Sequence, residues 1–146
     1  MSSRFSKGFS LLEVLLAISI LTIIAGIFAP IYGYFYNRNN LDLAAQQTVQ
    51  GLRHAQILAK NSERDADWGV YLNSNFITLF KGVSYLSRDD LYDESEGLPG
   101  GTVSSLPTEI VFSKASGTPK TFPIITLNQN NESKIITINS QGIISY

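Results

Sequence analysis

The chain has 146 residues and a formal net charge of −1, and 44% of its residues are hydrophobic while 16% are charged. This length allows one small domain and an anchor rather than two domains, and the composition excludes wholesale disorder. The absence of cysteine excludes disulfides, thiolate metal sites and cysteine nucleophiles.

An apolar run dominates the N-terminal part of the chain. Glu13 is the only ionisable side chain in residues 9–36, and residues 14–36 form an uncharged run of 23 residues. A helix of that length spans about 35 Å, which is enough to cross the hydrocarbon core of a bilayer. Because Arg4 and Lys7 precede the run, the positive-inside rule predicts a cytoplasmic N-terminus and an exported C-terminal domain.

The run does not fit a secretory signal peptide, whose apolar stretch is shorter and ends at a small-residue cleavage site. A carboxylate in a membrane helix costs about 2.5–3.5 kcal/mol at mid-membrane and less near the interface. Two interpretations of Glu13 follow. Either it stays solvated at the headgroup boundary of an uncleaved signal anchor, or it has a partner of opposite charge.

Residues 7–13, Lys-Gly-Phe-Ser-Leu-Leu-Glu, resemble the processing site of type IV prepilins and pseudopilins. The resemblance implies that a prepilin peptidase removes a basic leader, residues 1–8, by cutting between Gly8 and Phe9, and that it methylates the new Phe9 amine. It also implies that Glu13 pairs with the Phe9 amine of an adjacent subunit. Such a pair relieves the desolvation of both charges and fixes the axial register of neighbouring helices.

Pro30 interrupts the apolar run. It lacks an N–H and its ring clashes with the carbonyl of Gly26, so the sequence predicts that the helix bends or loosens between these two residues. The resemblance implies a hinge, since the family commonly carries a proline near this position. The alternative is that the proline is simply tolerated, as in other membrane helices.

Beyond residue 36 the sequence turns polar, and small or apolar residues recur at three- and four-residue spacing. This periodicity predicts a helix that packs one face on a sheet. We therefore predict one long helix from about Phe9 to Lys60, with its second half inside a globular domain of residues 37–146. The predicted buried face consists of Leu41, Ala44, Ala45, Thr48, Leu52, Ala55 and Ala59.

The pattern changes to strands from Trp68 onward. Residues 68–72 and 76–80 predict a hairpin, and further strands are predicted at 109–112, 122–127, 134–138 and 143–146. Residues 87–101 show no strand pattern and predict a loop. A helix followed by hairpins predicts an α+β fold, with the second half of the helix on a small antiparallel sheet, which is also what the pilin-like resemblance implies.

Two segments of the C-terminal half resemble the H-type minor pseudopilins of type II secretion and related minor pilins. They are residues 110–112 with Gly117, and residues 136–138 with Gly142. The resemblance implies a minor subunit of a type II secretion or type IV pilus-like filament. Its implied partners are other pilin subunits, the prepilin peptidase and the inner-membrane assembly platform. Its implied location is the cytoplasmic membrane, as a single-pass protein, and then a periplasmic or extracellular filament.

No catalytic motif or cofactor-binding loop is recognisable, so we predict neither an enzyme nor a cofactor. His54, the only histidine, is predicted to be a solvated or packing residue of a helix face. An acidic group could supply oxygen ligands for calcium, but it lacks the spacing of an EF-hand, so we predict a solvated surface loop and no metal site, with calcium binding as the alternative. Its members are Asp89, Asp90, Asp93, Glu94 and Glu96.

DNA capture is the alternative function, because some related minor pilins bind DNA during natural transformation. Such a protein is expected to cluster Lys and Arg on a loop or tail. Residues 61–146 instead hold six Lys/Arg against ten Asp/Glu, which argues against a strong phosphate-backbone binder.

Overall fold

A computed structural model of the chain describes residues 8–99, 102–104, 108–129 and 132–146, and at 28–38 and 103–104 it describes the backbone alone. Apart from Gly8, the predicted leader lies outside the described residues. The chain divides into two compact units, Met1–Tyr36 and Asn37–Tyr146.

One helix, α1 (Leu11–Lys60), runs from the first unit into the second. Its end at Lys60 confirms the predicted continuation of the helix beyond the apolar run. The backbone is helical at both Gly26 and Pro30. The predicted hinge between these residues is not tested by this assignment and stays a prediction.

In the second unit, α1 buries one face. All seven residues predicted for that face are buried, and Val49 joins them. Four of them are alanines with no exposed surface, so the helix backbone can lie close to the strands it covers. Thr48, also fully buried, donates its hydroxyl to the carbonyl of Ala44 at 2.8 Å, which satisfies the polar group inside the core.

A short 3₁₀ turn, Glu63–Asp65, leads from α1 to the strands. The strands form two four-stranded sheets in which every described pairing is antiparallel. The first sheet has the order β3 (Asp89–Gly97), β2 (Phe76–Lys81), β1 (Trp68–Leu72), β5 (Thr108–Phe112). The second has the order β4 (Val103–Ser104), β6 (Ile124–Gln129), β7 (Glu132–Ile138), β8 (Ile144–Ser145).

These elements confirm the predicted α+β fold and the β1–β2 hairpin, whose strands pair Leu72 with Ile77 across the turn. The sheet is larger than predicted, since two sheets replace the single small one. Their buried residues and the second half of α1 form one hydrophobic core. In the second sheet β6 shows the two-residue alternation of a half-buried strand, with Ile125 and Leu127 buried. In the first sheet β1 and β2 are buried at almost every position.

The predicted loop over residues 87–101 is wrong, because β3 occupies nine of these residues. Acidic residues have low strand propensity, so the sequence pattern gave no sign of a strand. Tertiary contacts override that preference: β3 pairs with β2, and Ser95 and Thr78 hydroxyls lie 2.8 Å apart. The strand lies at the edge of its sheet, where its carboxylates other than Asp93 stay exposed.

Candidate functional site

The start of α1 is formed by a local capping interaction. The hydroxyl of Ser10 accepts a hydrogen bond from the backbone N–H of Glu13 at 3.2 Å, and the Ser10 carbonyl accepts bonds from the N–H groups of Glu13 and Val14. Ser10 is therefore the N-cap, and Glu13 occupies the third helical position. The Ser-x-x-Glu spacing of residues 10–13 is a capping-box signal, from which this helix start could have been predicted.

The structure places Gly8, Phe9 and Ser10 just before the helix, and all three are exposed. Phe9 is 81% exposed. Glu13 lies in the first turn of α1, where the positive end of the helix dipole stabilises a carboxylate. The predicted cleavage site is thus accessible, and the predicted assembly carboxylate lies one helical turn beyond the N-cap.

The apolar side chains of residues 11–27 are exposed on every face of the helix, from Leu11 at 80% to Ile24 at 45%. The two hydroxyl groups in this stretch are satisfied by the helix itself. Ser19 donates to the carbonyl of Leu15 at 2.7 Å, and Thr22 donates to that of Ile18. Because no polar face remains, this surface is of the kind that proteins cover with lipid or with other subunits.

Among the residues described, no helix combines the length and the apolarity that a membrane crossing demands. The predicted transmembrane segment, residues 9–36, stays a prediction.

The five acidic residues considered as candidate calcium ligands all lie on β3. Asp89 pairs with Lys81 at 3.2 Å, Asp93 accepts a hydrogen bond from Arg88 at 2.7 Å, and Glu96 accepts one from Gln47 at 3.0 Å. Within the described part of the chain, no three His, Cys, Asp or Glu side chains come together as metal ligands would. His54 is exposed, as predicted for a solvated residue.

The two glycines of the H-type resemblance meet at one side chain. Gln56, on α1, donates its amide to the carbonyls of Gly117 and Gly142, at 3.1 Å in both cases. Both glycines have positive φ, +63° and +79°, and a Cβ at Gly142 would overlap the Gln56 amide. We call this contact the Gln56 junction. Positive φ favours glycine at both turns, and at Gly117 a Cβ would overlap the Lys60 side chain. Gln56 itself was missed, since nothing in its helical position indicates two distant partners.

Asp67 anchors a second polar contact of the domain. Burial raises the pKa of its carboxyl, but hydrogen bonds from Lys120 Nζ and from the backbone N–H of Lys114, both at 2.7 Å, together with the two lysine charges, outweigh burial and leave the pKa lowered. The carboxylate is therefore charged at neutral pH and ties the start of β1 to the segments that follow β5.

The fold and the helix start together define a class: an α+β domain carrying an N-terminal helix with a capped first turn, one carboxylate and a fully apolar surface. Residues 3–29 match a family model, the prokaryotic N-terminal methylation motif. This match supports a type IV pilin-like protein and includes Gly8, Phe9 and Glu13. No curated protein and no solved structure matches the chain.

Proposed function

We propose that this protein is a type IV pilin-like filament subunit, made as a prepilin and assembled through the N-terminal half of α1. The observation that carries the proposal is the exposed apolar surface of residues 11–27 behind a capped first turn that holds Glu13. The methylation-motif match over residues 3–29 supports the same function.

Processing comes first in this proposal. A prepilin peptidase cuts between Gly8 and Phe9, removes the basic leader and methylates the Phe9 amine. Phe9 and Gly8 precede the helix and are exposed, so the scissile bond is open to an enzyme without unwinding α1. The apolar stretch then remains attached to the domain and holds it in the cytoplasmic membrane, with the N-terminus inside and residues 37–146 outside.

Assembly depends on Glu13. Cleavage creates a positive amine one residue before the N-cap, close to the positive end of the helix dipole, where a cation is disfavoured. A carboxylate from a neighbouring subunit offsets that charge, and the Phe9 amine in turn offsets the desolvation of Glu13. Because each charge lies on a rigid helix start, the pair also fixes the axial offset between subunits. The apolar surfaces supply the remaining contact area.

Glu13→Gln tests this step sharply. Glutamine at the third helical position is compatible with the capping box, so the variant loses the charge and keeps the local helix signal. We expect it to be inserted, cleaved and methylated but poorly incorporated into sheared filaments, as measured by quantitative immunoblotting. Mass spectrometry of the membrane-extracted protein is expected to show loss of residues 1–8 and one methyl group on Phe9.

Ser10→Ala is the matched control, because it removes the cap and retains the charge. It is expected to cost about 1 kcal/mol of helix stability and to leave incorporation near the wild-type level. Normal incorporation of Glu13→Gln would refute the pairing. Retention of the leader in the wild-type protein would refute the proposal as a whole. A Gly8→Leu variant, which is expected to stay uncleaved, provides the reference mass of the unprocessed protein.

The finer assignment is to a minor subunit of the H-type pseudopilin kind, with an assembly platform and other pilins as partners. It rests on the sequence resemblance of residues 110–112 with Gly117 and of residues 136–138 with Gly142. Co-purification of the cross-linked protein with other pilin-type chains tests it. DNA capture is opposed by the acidic balance of the domain. Salt-sensitive binding of DNA by the full-length protein in a filter assay would overturn that judgement.

A further inference from the structure

The edge strand β3 and the second half of α1 border an open groove of about 470 Å³. The groove lies wholly within the unit Asn37–Tyr146, so it does not involve the N-terminal half of α1 through which assembly is proposed. Its floor is apolar, formed by Gly51, Ile77 and Leu79, and its walls are polar. The wall residues are Gln47, Gln50, His54, Glu94, Ser95 and Glu96.

The groove walls carry two glutamates whose negative charge is not neutralised by a described Lys or Arg side chain. In the β2–β3 register, Glu94 stands opposite Leu79 and Glu96 opposite Ile77, which puts both carboxylates on the face of the sheet that α1 covers. Glu96 accepts one hydrogen bond from Gln47. The Glu94 carboxylate has no ion pair or hydrogen bond with any described residue. The groove therefore complements a cation rather than an anion.

The backbone of β3 also has unpaired hydrogen-bonding groups along its outer side. The strand is nine residues long and lies at the end of the order β3-β2-β1-β5, so its outer N–H and C=O groups pair with no other strand in the described part of the chain. Such an edge is a template for an added strand, and charged side chains are what proteins use to keep unwanted strands away. The carboxylates of β3 repel an acidic strand and attract a basic one. The edge is therefore selective for a strand that carries positive charge.

We propose that β3 is a docking edge for an extended segment of another protein that carries Lys or Arg at alternate positions. Pairing with β3 supplies main-chain hydrogen bonds, and alternate side chains of the added strand point to the same face as Glu94 and Glu96. There the ammonium or guanidinium groups meet the two carboxylates.

The occupant is a different protein rather than a second copy of this chain. Within the 146-residue sequence, no two Lys or Arg residues stand two positions apart, so the chain offers no strand with basic residues on one face. Its two strand lysines, Lys81 and Lys134, lie on separate strands and each already pairs with an aspartate. The proposed edge thus predicts a heterotypic partner.

The test uses the full-length protein in detergent micelles and a fluorescein-labelled nine-residue peptide of alternating Lys and Val. Fluorescence anisotropy is expected to show saturable binding, and Glu94→Gln is expected to weaken it by about two- to fivefold. Glu132→Gln, which removes a carboxylate from β7 of the other sheet, is the matched control and is expected to bind the peptide like the wild type.

A peptide N-methylated at alternate residues separates strand pairing from simple charge attraction. It keeps every charge and loses the donors that β3 needs, so its affinity is expected to fall by at least about tenfold. Equal binding of the two peptides would overturn the proposal, and so would equal effects of Glu94→Gln and Glu132→Gln. Failure of the Lys-Val peptide to bind at millimolar concentration would overturn it as well. None of these outcomes bears on the cleavage and methylation of the N-terminus.

Discussion

Gly142→Ala is expected to destabilise the domain through the Gln56 junction. Gly142 has φ +79°, a backbone conformation that costs an L-residue about 1–2 kcal/mol. The new methyl group would also overlap the Gln56 amide and lie 3.3 Å from the Gly117 carbonyl. Displacing the amide breaks both of its hydrogen bonds, worth about 0.5–1.5 kcal/mol each. The expected loss is about 2–5 kcal/mol in the free energy of unfolding.

Urea unfolding of the full-length protein in micelles measures this loss. Trp68, the only tryptophan, is buried in β1, and its fluorescence reports the unfolding of the domain. Gly97→Ala is the control, because a Cβ at Gly97 meets no atom within 4 Å and its φ is not in the left-handed region. It is expected to unfold within about 0.5 kcal/mol of the wild type.

A double-mutant cycle with Gln56→Ala distinguishes the proposed mechanism from backbone strain alone. Gln56→Ala removes the same two hydrogen bonds, so the double variant should lose them only once. The sum of the two single losses in unfolding free energy is then expected to exceed the loss in the double variant by about 1–3 kcal/mol. Additivity of the two substitutions within about 0.5 kcal/mol would refute the reasoning, since the glycine would then act independently of the amide.

Gly69→Ala is expected to cost about 1–3 kcal/mol by the same urea assay, because its Cβ would lie 2.5 Å from the Phe80 ring; a wild-type midpoint would contradict this contact. Asp67→Asn is expected to cost about 1 kcal/mol at neutral pH. The pKa of Asp67 is lowered in the folded protein, so its carboxylate contributes to the free energy of unfolding above the unfolded pKa of about 3.9. That contribution disappears as the pH falls through the folded pKa. The wild type and Asp67→Asn should therefore become equally stable in acid. Leu52→Ala, at a fully buried position, is expected to cost about 2–5 kcal/mol, whereas Ile57→Ala, at a 55% exposed one, should cost far less.

Much of the fold could be predicted because strong periodic signals coincide with burial. The small-residue face from Leu41 to Ala59 repeats at helical spacing, and every predicted member is buried. The β1–β2 hairpin follows from two apolar runs separated by three turn-forming residues. In both cases the sequence pattern and the structure have the same physical cause, which is the burial of one apolar face of the helix or strand.

The missed features are those whose causes lie elsewhere in the chain. β3 has no strand signal of its own and exists because β2 offers it a partner. Gln56 looks like an ordinary polar helical residue until the turns at Gly117 and Gly142 are brought to it. Ser10 is a different case, because its capping signal is local: the Ser-x-x-Glu spacing of residues 10–13 alone predicts an N-cap.

The Gln56 junction also explains how a domain without disulfides holds two sheets to one helix. The Gly117 turn follows β5 of the first sheet, and the Gly142 turn lies between β7 and β8 of the second. One amide on α1 therefore bonds to a turn from each sheet, and the Ala115 N–H adds a bond to the Ala59 carbonyl near the end of the helix. The Ala59 carbonyl lies in the last turn of α1, where helix carbonyls lack partners within the helix, and it accepts this bond from outside the helix. Loosening this junction is expected to release both sheets from α1 together, so its variants should lower the unfolding midpoint without splitting the transition into two steps.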